Sequence, residues 1–523
     1  MRILEERDFV RRRSGSAMAG EREYAIKHAL TREVAYASLP KARRARLHAA
    51  FAAWLERLGE DRDDLASLLA HHYAEAVRPE DADLVWSGDE ADAERLRAKA
   101  VIWLRRAAAL ATTRYEMEDT LALLQQALEL EPDERVRAEL WRAIGRVHAL
   151  NYEGEAFWTA MQKSLELSSD RETSAETYAE LALQTSVRSG MWRRRPEDEL
   201  VEGWIAKALE LAEPASASRA KALIGSSYWN RDEGVKAAAQ AIELADRLGD
   251  PELRVLAYTA RALAESAAFH YDEAIAWSDR AMQLEDEIRD PDLRVELYFN
   301  ASSPSVARGD FRAARRYARL HDELNSKLST HHRVHGVAGL LEVEELLGAW
   351  DRVAQLQRRT EESVEANLST PCVRNARSLF LCALARAYEG EAEESQRLEG
   401  RAEEASFEGF GLTLDGPRIR LALTREDLEE VERLVAGGHS SQAFYLGSQT
   451  ALLDGLAAVR DRKRLEAEAE ALLQPGTYLE PFVLRALGVV REDEELVEQA
   501  LRSFEALGLE WHADETRKLV AQA

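Results

Sequence analysis

Apolar residues recur along this chain at the three- and four-residue spacing of amphipathic α-helices. One such stripe predicts a helix from Asp250 to about Phe269. Its members are Leu253, Leu256, Ala260 and Leu263. A second stripe predicts a helix from Asp272 to about Asp286, and its members are Ile275, Ser278, Met282 and Glu285. The short gap between the two patterns indicates a helical hairpin.

The first of these helix starts is repeated 40 residues later. The segment RLGDPELRVLAY contains Pro251 directly after an aspartate, and EIRDPDLRVELY contains Pro291 in the same place. Asp followed by Pro is typical of a helix N-terminus, with Asp as the N-cap and Pro at the first helical position. We therefore predict equivalent first turns at Asp250 and Asp290.

Two further landmarks extend this repeat over most of the chain. Helix ends of the type Ala-Leu-Glu-Leu are spaced by 37, 44, 33 and 40 residues and lie at Ala127–Leu130, Ser164–Leu167, Ala208–Leu211, Ala241–Leu244 and Ala281–Leu284. An aromatic residue marks the turn between paired helices at Tyr271, Phe311 and Trp350. Such periods indicate an α-solenoid and resemble tetratricopeptide repeats (TPR). The predicted fold class is all-α: a TPR-like α-solenoid of helix-turn-helix repeats over residues 95–405.

The C-terminal region, residues 406–523, is predicted to contain more divergent helical repeats and a cap. Helices are expected at Leu421–Val435, Ala443–Val459 and Lys463–Leu473. The segment Gly409–Pro417 and the pair Gly437-Gly438 are predicted breaks. The final stretch, SFEALGLEWHADETRKLVAQA, is predicted to form one capping helix.

The N-terminus has a different pattern, which predicts a small β-hairpin. Short strands are expected at Asp8–Arg13 and Glu23–His28, joined by a Gly/Ser-rich loop. A helix then starts at Ala29, with Leu30 and Val34 on one face. After Pro40 a second helix is expected over Lys41–Leu58, with a helical stripe of Leu47, Phe51, Trp54, Leu55 and Leu58.

A hairpin followed by helices matches the end of a winged helix, so residues 1–60 are expected to form part of one. Its earlier helices are not found in the few residues before the hairpin. The expectation is therefore an internal start at Met1 or a C-terminal piece of a longer protein. Residues 61–94 are predicted to be a helical connector with an acidic loop.

Charge separates the N-terminus from the rest of the chain. The formal net charge is −25, yet residues 1–50 contain 12 Lys and Arg against 6 Asp and Glu. An acidic body repels phosphate backbones, so nucleic acid is an unlikely partner. Arg11–Arg13, Arg43, Arg44 and Arg46 could contact DNA phosphates, but solvated or paired arginines packed within the protein are the favoured interpretation.

Other bulk features are typical of a cytoplasmic protein. The two cysteines, Cys372 and Cys382, are ten positions apart in one predicted helix, about 15 Å along its axis, too far for a disulfide. No apolar run approaches the roughly 18 residues of a membrane span, and the charged first residues do not resemble a signal peptide.

The segments His28–Pro40 and Arg43–His48 resemble a junction in large bacterial signalling ATPases of the STAND type. These proteins join a P-loop ATPase, a winged helix and helical repeats, and some carry an adenylate or guanylate cyclase domain or are transcription regulators. Leu69–Ala76, Trp103–Ala107 and Phe504–Trp511 resemble later parts of the same family. The resemblance implies a regulatory region downstream of a nucleotide site.

The chemistry of that family cannot be transferred to this chain. The sequence has no G-x-x-x-x-G-K-[ST] phosphate loop, no cyclase aspartate pair in a recognisable context and no G-x-S-x-G elbow. We expect no catalytic residue, no cofactor and no enzyme activity from this chain.

Two segments are candidate interaction sites. Trp192, Arg193 and Arg194 begin a Trp-Arg-Arg-Arg-Pro run where the repeat spacing stretches to 44, and they could recognise an anionic partner. The alternative is a long loop held by one packed Trp. Tyr228 and Trp229 end a short first helix and could be hot spots, although aromatic residues at repeat turns are more often core.

Histidines are also grouped at two places. His331 and His335 lie four apart in THHRVHG, with His332 between them, but no Cys, Asp or Glu nearby in sequence completes a zinc set, so no metal is expected. Of His71 and His72, one is expected to pack in a helical hairpin and the other to face water.

The sequence thus predicts a non-catalytic regulatory module that binds a protein, a peptide or a small inducer. Binding would be coupled to an ATPase or cyclase output through residues 29–58. The alternatives are a free-standing TPR scaffold and part of an ATP-dependent transcription regulator.

Overall fold

The computed structural model describes residues 1–15, 22–58, 63–230, 233–406, 411–437 and 445–522. Two compact units divide the chain. The first comprises residues 1–112 and 116–140, and the second comprises residues 113–115 and 141–523. The three predicted segment boundaries, at residues 60, 94 and 405, remain predictions.

The first unit begins with an antiparallel hairpin of β1 (Val10–Arg12) and β2 (Tyr24–Ile26), in which Val10 pairs with Ile26. Most of the predicted Gly/Ser loop between the strands lies outside the described residues. The helices of this unit are α1 (Arg2–Glu6), α2 (Ala29–Ala37), α3 (Lys41–Glu56), α4 (Ala66–Ala76), α5 (Ala82–Val85), α6 (Glu90–Thr113) and α7 (Met117–Leu130). A 3-10 turn lies at Asp63–Leu65.

The predicted stripe on α3 is buried only in part, because Leu55 is buried but Leu58 is exposed. The face that packs consists mainly of alanine: Ala45, Ala49, Ala52 and Leu55 are buried. Leu47 and Phe51 are exposed, and so are Leu30 and Val34 on α2. Small side chains let α3 lie close to α4, so the larger apolar residues remain on the outside.

The second unit consists of helix pairs in which a first helix (A) is followed by a second helix (B). Helix α8 (Glu134–Leu150) runs into it from the first unit. The helices that follow are α9 (Gly154–Leu167), α10 (Arg171–Val187), α11 (Asp198–Leu211), α12 (Ala217–Trp229), α13 (Gly234–Leu248), α14 (Pro251–Ala267), α15 (Tyr271–Met282), α16 (Pro291–Ala307), α17 (Phe311–Asn325), α18 (Thr330–Leu346) and α19 (Trp350–Asn367). Two 3-10 turns lie at Ser189–Met191 and Glu285–Glu287.

The pairing continues to the C-terminus. The remaining helices are α20 (Val373–Tyr388), α21 (Ala392–Glu404), α22 (Leu412–Thr424), α23 (Leu428–Ala436), α24 (Leu446–Ala458), α25 (Arg462–Leu472), α26 (Leu479–Arg491), α27 (Glu494–Leu507) and α28 (Glu510–Gln522). The even-numbered members from α10 to α26 are the A helices. The second unit is therefore a TPR-like α-solenoid, and the predicted fold class is confirmed: all-α with a small N-terminal β-hairpin.

Both predicted Asp-Pro helix starts are present. The Asp250 carboxylate accepts hydrogen bonds from the N–H groups of Glu252 and Leu253, and Asp290 does the same at Asp292 and Leu293. Each cap satisfies N–H groups that the helix cannot pair itself, which contributes about 1 kcal/mol. The three aromatic landmarks are the first residues of α15, α17 and α19.

Glycines let the inner helices approach closely. A Cβ at Gly225 of α12 would lie 3.0 Å from the backbone carbonyl of Ala182 on α10. A Cβ at Gly416 of α22 would lie 2.9 Å from the Cα of Ser448 on α24. Any larger residue would force these A helices apart, because backbone on the facing helix cannot move aside as a flexible side chain can.

Three C-terminal predictions are wrong. The expected helix Leu421–Val435 is divided between α22 and α23 by a turn, where Glu426 has φ 56° and Asp427 caps α23 through the N–H of Glu430. The expected single capping helix is divided by Gly508, whose φ of 70° ends α27 before α28 begins. Pro417 does not break the chain but lies inside α22. Gly409 and Gly438 lie outside the described residues.

The last repeats of the second unit contact its middle. Tyr478, just before α26, donates its N–H to the Ala307 carbonyl at 2.8 Å and its hydroxyl to the Leu346 carbonyl at 2.7 Å. His512 on α28 also lies 3.1 Å from the Leu346 carbonyl. The repeat array therefore bonds to itself across a long separation in sequence.

Candidate functional site

A cavity of about 700 Å³ lies inside the second unit, lined mostly by A helices. Residues of α14, α16, α18, α20 and α24 form its wall, together with Tyr152 and the C-terminal end of α10. A volume of this order is typical of sites for small ligands or short peptide segments. The cavity is therefore our candidate functional site.

A buried ion-pair chain crosses the α10–α16 part of the site. Arg188, at the end of α10, forms an ion pair with the Asp292 carboxylate at the start of α16. The other Asp292 oxygen lies 2.9 Å from Nε2 of His332 on α18. Side chains of all three are at most 8% exposed, so water does not screen them. Burial raises the pKa of Asp292, but Arg188 and His332 outweigh it and hold the pKa below its ordinary value.

The helix period explains how Arg188 reaches this position. Glu180, Gln184 and Arg188 are spaced by four residues and lie along one face of α10. Gln184 donates to Glu180 at 3.1 Å and accepts from Arg188 at 2.5 Å. Glu180 in turn binds Lys221 of α12 at 2.5 Å. The row orients the guanidinium towards α16 before any ligand arrives.

The α18–α20 part of the site has the opposite balance of charge. Glu342 on α18 binds two arginines of α20: Arg374 at 3.2 Å and Arg377. Arg374 also lies over the Phe299 ring at 4.2 Å, and Arg377 over the Tyr445 ring at 4.3 Å. Rings at this distance stabilise a partly desolvated cation. One carboxylate therefore serves two guanidiniums.

Glu296 on α16 lines the cavity without an ion pair among the described residues. Asn300 donates to its carboxylate at 3.5 Å and to its backbone carbonyl at 2.8 Å. Burial, helped by the negative charge of Asp292, raises the pKa of Glu296. A positively charged group that enters the cavity would therefore stabilise the ionised form of this carboxyl.

His331, His335 and Cys372 form a cluster beside the same cavity. One ligand-capable atom of each lies within 4.8 Å of the other two. The sequence alone did not predict this cluster, because Cys372 caps α20 in the next repeat. The only signal available was that Cys372 follows His335 by 37 residues, a typical repeat period of this chain.

The sequence-predicted interaction residues lie elsewhere, and none lines the cavity. Trp192 packs on Gly154 and Phe157, as the packed-Trp alternative describes. Arg194 is 89% exposed and pairs with Glu197, while Arg193 reaches the Ser369 carbonyl at 3.5 Å. Their role as interaction residues remains a prediction.

The two aromatic residues at the end of α12 pack against two different apolar clusters. Trp229 packs beside Trp192 in one apolar cluster and carries the Arg195 guanidinium 4.1 Å above its ring. Tyr228 packs with the apolar residues of α13 and α14, and burial raises its pKa. Neither residue is fully exposed, so both are at least partly core.

The first unit has a smaller cavity, of about 600 Å³, between α2, α3 and α4. His48 lies at its centre: Nδ1 is 2.7 Å from Nδ1 of His72, and Nε2 is 2.8 Å from the Tyr36 hydroxyl. His71 is exposed and His72 half-buried. Burial lowers the pKa of His72 to about 4, so the imidazole is neutral near pH 7.

The N-terminal arginines are mostly paired or solvated. Arg46 binds Asp89 at 2.8 Å, Arg44 lies over the Tyr36 ring at 5.0 Å, and Arg13 binds Glu23 at 2.9 Å. Arg11 and Arg12 are exposed. Within the described part of the chain, no helix is both long and apolar enough to cross a membrane.

Comparisons with known proteins give no family. No protein-family model matches the chain, and no curated protein matches it. Among solved structures, a STAND protein with a tetratricopeptide repeat sensor from Pyrococcus horikoshii is 14% identical, with a TM-score of 0.41. That match covers 74% of this chain and 55% of that one, so the chain spans little more than half its length.

Two further structures are similar over most of their length. Yeast Tom70 is 12% identical, covering 86% of this chain and 95% of that one, with a TM-score of 0.34. A Rap protein complexed with Competence and Sporulation Factor is 11% identical, covering 88% and 98%, with a TM-score of 0.29.

Proposed function

We propose that this chain is a non-catalytic binding module that takes a short peptide segment of a protein partner into the cavity of the second unit. The observation that supports it most is the uneven charge of the cavity wall. Glu296 lines the cavity without an ion pair among the described residues, whereas Glu342 alone serves Arg374 and Arg377. A peptide segment with one cationic and one anionic group would provide a counter-charge for Glu296 and a second counter-charge for Arg374 and Arg377.

The rest of the wall fits a peptide backbone and its apolar side chains. Aromatic residues line the cavity at Tyr152, Phe269 and Phe299, and amides at Asn300 and Gln449 offer hydrogen bonds. Buried sites of this kind gain affinity from a few polar groups fixed in advance, because little side-chain entropy is lost on binding. The row from Glu180 to Arg188 holds one such group in place.

We further propose that binding is coupled through the N-terminal helices α2 and α3 to an ATPase or cyclase output. Leu30 and Val34 on α2 are 71% and 62% exposed, and Leu47 on α3 is 51% exposed. An apolar surface of this kind is typical of a contact with another protein domain. It supports a role for these helices in passing on the state of the repeats.

The experiment starts from a random peptide library selected on the full chain. Affinities of enriched peptides are then measured by calorimetry for wild type, Glu296→Gln and Glu273→Gln. Glu296→Gln should weaken binding by about tenfold or more, because a charged hydrogen bond is worth about 1.5–3 kcal/mol. Glu273, an exposed acid of α15, provides the matched control and should leave affinity unchanged.

Equal affinity for wild type and Glu296→Gln would show that the peptides bind outside the cavity and would contradict the proposal. Hydrogen exchange of the same complexes tests the coupling. Altered exchange over residues 29–56 supports the relay, whereas unchanged exchange there favours a free-standing scaffold.

A further inference from the structure

His331, His335 and Cys372 come from two consecutive A helices and converge on one point. The two histidines lie one turn apart on α18, and their ring centroids are 4.3 Å apart. The Cys372 sulfur, at the start of α20, lies 3.4 Å from Nε2 of His335. An imidazole pair at this helical spacing together with a thiol is a typical ligand set for zinc.

His331 is the most informative member, because its polar atoms have no partner. The residue is 2% exposed, and neither ring nitrogen forms a hydrogen bond within the described part of the chain. A buried polar group without a partner costs about 1–3 kcal/mol. The Tyr152 ring stacks on the imidazole at 3.6 Å and fixes its plane.

We propose that His331, His335 and Cys372 form a Zn²⁺ site, with the fourth position open towards the cavity of the second unit. His335 and Cys372 both line that cavity, so the ion has an entry path. Three protein ligands with one open position are typical of zinc sites that hold water or a bound molecule. The soft thiolate selects zinc over magnesium or calcium, which prefer oxygen.

Zinc binding requires a free lone pair on one nitrogen of each imidazole and a thiolate, so Cys372 is the ligand that must lose a proton. Binding forms two Zn–N bonds and one Zn–S bond and breaks the S–H bond of Cys372, whose proton goes to solvent. The Glu296 carboxyl, which has no ion pair among the described residues, lines the same cavity and offsets part of the positive charge of the ion.

Arg374 is the group that must move. Its Nη1 lies 2.8 Å from Nδ1 of His335, which places the histidine proton on Nε2. Zinc at Nε2 requires the proton on Nδ1 instead, and Arg374 must then turn away. Glu342, 3.2 Å from the Arg374 Nε, already provides the alternative partner.

The test uses Co²⁺ as a spectroscopic substitute for zinc on the reduced full chain. A thiolate ligand gives a cobalt charge-transfer band in the near ultraviolet, which histidines alone do not give. Wild type should show this band at one equivalent, and added Zn²⁺ should remove it. The cluster of His48, His71 and His72 cannot produce the band, so the two groups of histidines are distinguishable.

Variants assign the band to this site. Cys372→Ser should abolish it, whereas Cys382→Ser, the matched control at the other buried cysteine, should retain it. His335→Gln should weaken Co²⁺ binding by more than about tenfold, because even loss of an outer-sphere partner costs that much. Circular dichroism checks that each variant is folded. Absence of the band in wild type, or its persistence in Cys372→Ser, would overturn the proposal.

Discussion

The two repeats that begin at Asp250 and Asp290 share a first turn, Asp-Pro-acid-Leu-Arg-Val, and use its acid differently. Glu252 in the first repeat accepts the backbone N–H groups of Arg289 and Asp290, at 3.1 and 3.2 Å. Asp292 in the second turns inward to Arg188 and His332. The caps are the same, but one acid supports the backbone of the next repeat and the other holds a buried charge.

The difference shows which structural features a repeat period predicts and which it does not. Backbone roles recur every 40 residues because each unit must start and end its helices in the same way. Side-chain roles depend on what faces the helix in space, and Arg188 is 104 positions before Asp292. Of these two repeats, only the second has an acid, Glu296, at the sequence position that is Leu256 in the first.

The largest expected effect comes from removing the inward acid. Asp292→Ala leaves the buried Arg188 without its main counter-charge and should lower the free energy of unfolding by about 3–5 kcal/mol. Glu252→Ala, the matched control, should cost only about 1 kcal/mol, since only backbone hydrogen bonds at a partly exposed side chain are lost. Urea unfolding followed by circular dichroism measures both.

Hydrogen exchange should accompany that measurement, because repeat arrays can unfold in parts. Faster exchange in Asp292→Ala should be concentrated in α10, α16 and α18. Equal losses for the two variants would show that the repeats use the acid in the same way after all.

A smaller effect is expected at the cap that the repeats share. Asp250→Ala removes the acceptor for two N–H groups and should cost about 1 kcal/mol. Asp250→Asn keeps an oxygen in place and should cost less. Thermal unfolding of both variants separates the contribution of the hydrogen bonds from that of the charge. An equal loss of stability in Asp250→Ala and Asp250→Asn would assign the effect to the charge alone.

The last expected effect is a change in the slope of stability against pH at the second cap. Burial, and then the charge of Asp292, raise the pKa of Asp290 from 3.8 to about 6. The folded state therefore binds the proton more tightly than the unfolded state does. The Asp290 contribution is full below about pH 4 and is lost as the pH rises through 6.

Asp290→Asn keeps the cap and removes this titration. Stability measured from pH 4 to 7 should decline less steeply in the variant than in wild type. Asp250→Asn, at the equivalent cap of the first repeat, is the reference for replacing a cap carboxylate by an amide. If stability declined with pH as steeply in Asp290→Asn as in wild type, the result would contradict the raised pKa of Asp290.

Local signals in the sequence predicted much of the fold. The Asp-Pro pairs predicted the starts of α14 and α16 because a cap and a fixed φ act within one turn. The turn at Glu426 was missed because a non-glycine residue adopts positive φ there. The spacing of Asp427 and Glu430 is typical of a helix start and is the local signal for α23.

The candidate site was harder to predict, because its residues meet across repeats. Cys372 shares a predicted helix with Cys382, and His335 has no Cys, Asp or Glu among its sequence neighbours, so no sequence pattern links the two residues. On α3, the stripe through Leu47 and Phe51 was chosen for size, whereas close helix packing selected alanine. Sequence spacing predicts which face of a helix a residue is on. It does not predict which residues of a neighbouring helix lie opposite that face.

The contacts of Tyr478 and His512 with the middle of the second unit bear on how the chain is synthesised. An open repeat array can fold from its first repeats onward, since each unit needs only its neighbours. Here the carbonyls of Ala307 and Leu346 obtain these partners only after helices near the C-terminus have been made. The central repeats therefore remain incomplete on the ribosome until Tyr478 and α28 have been made, and a stop codon before these residues removes part of that packing.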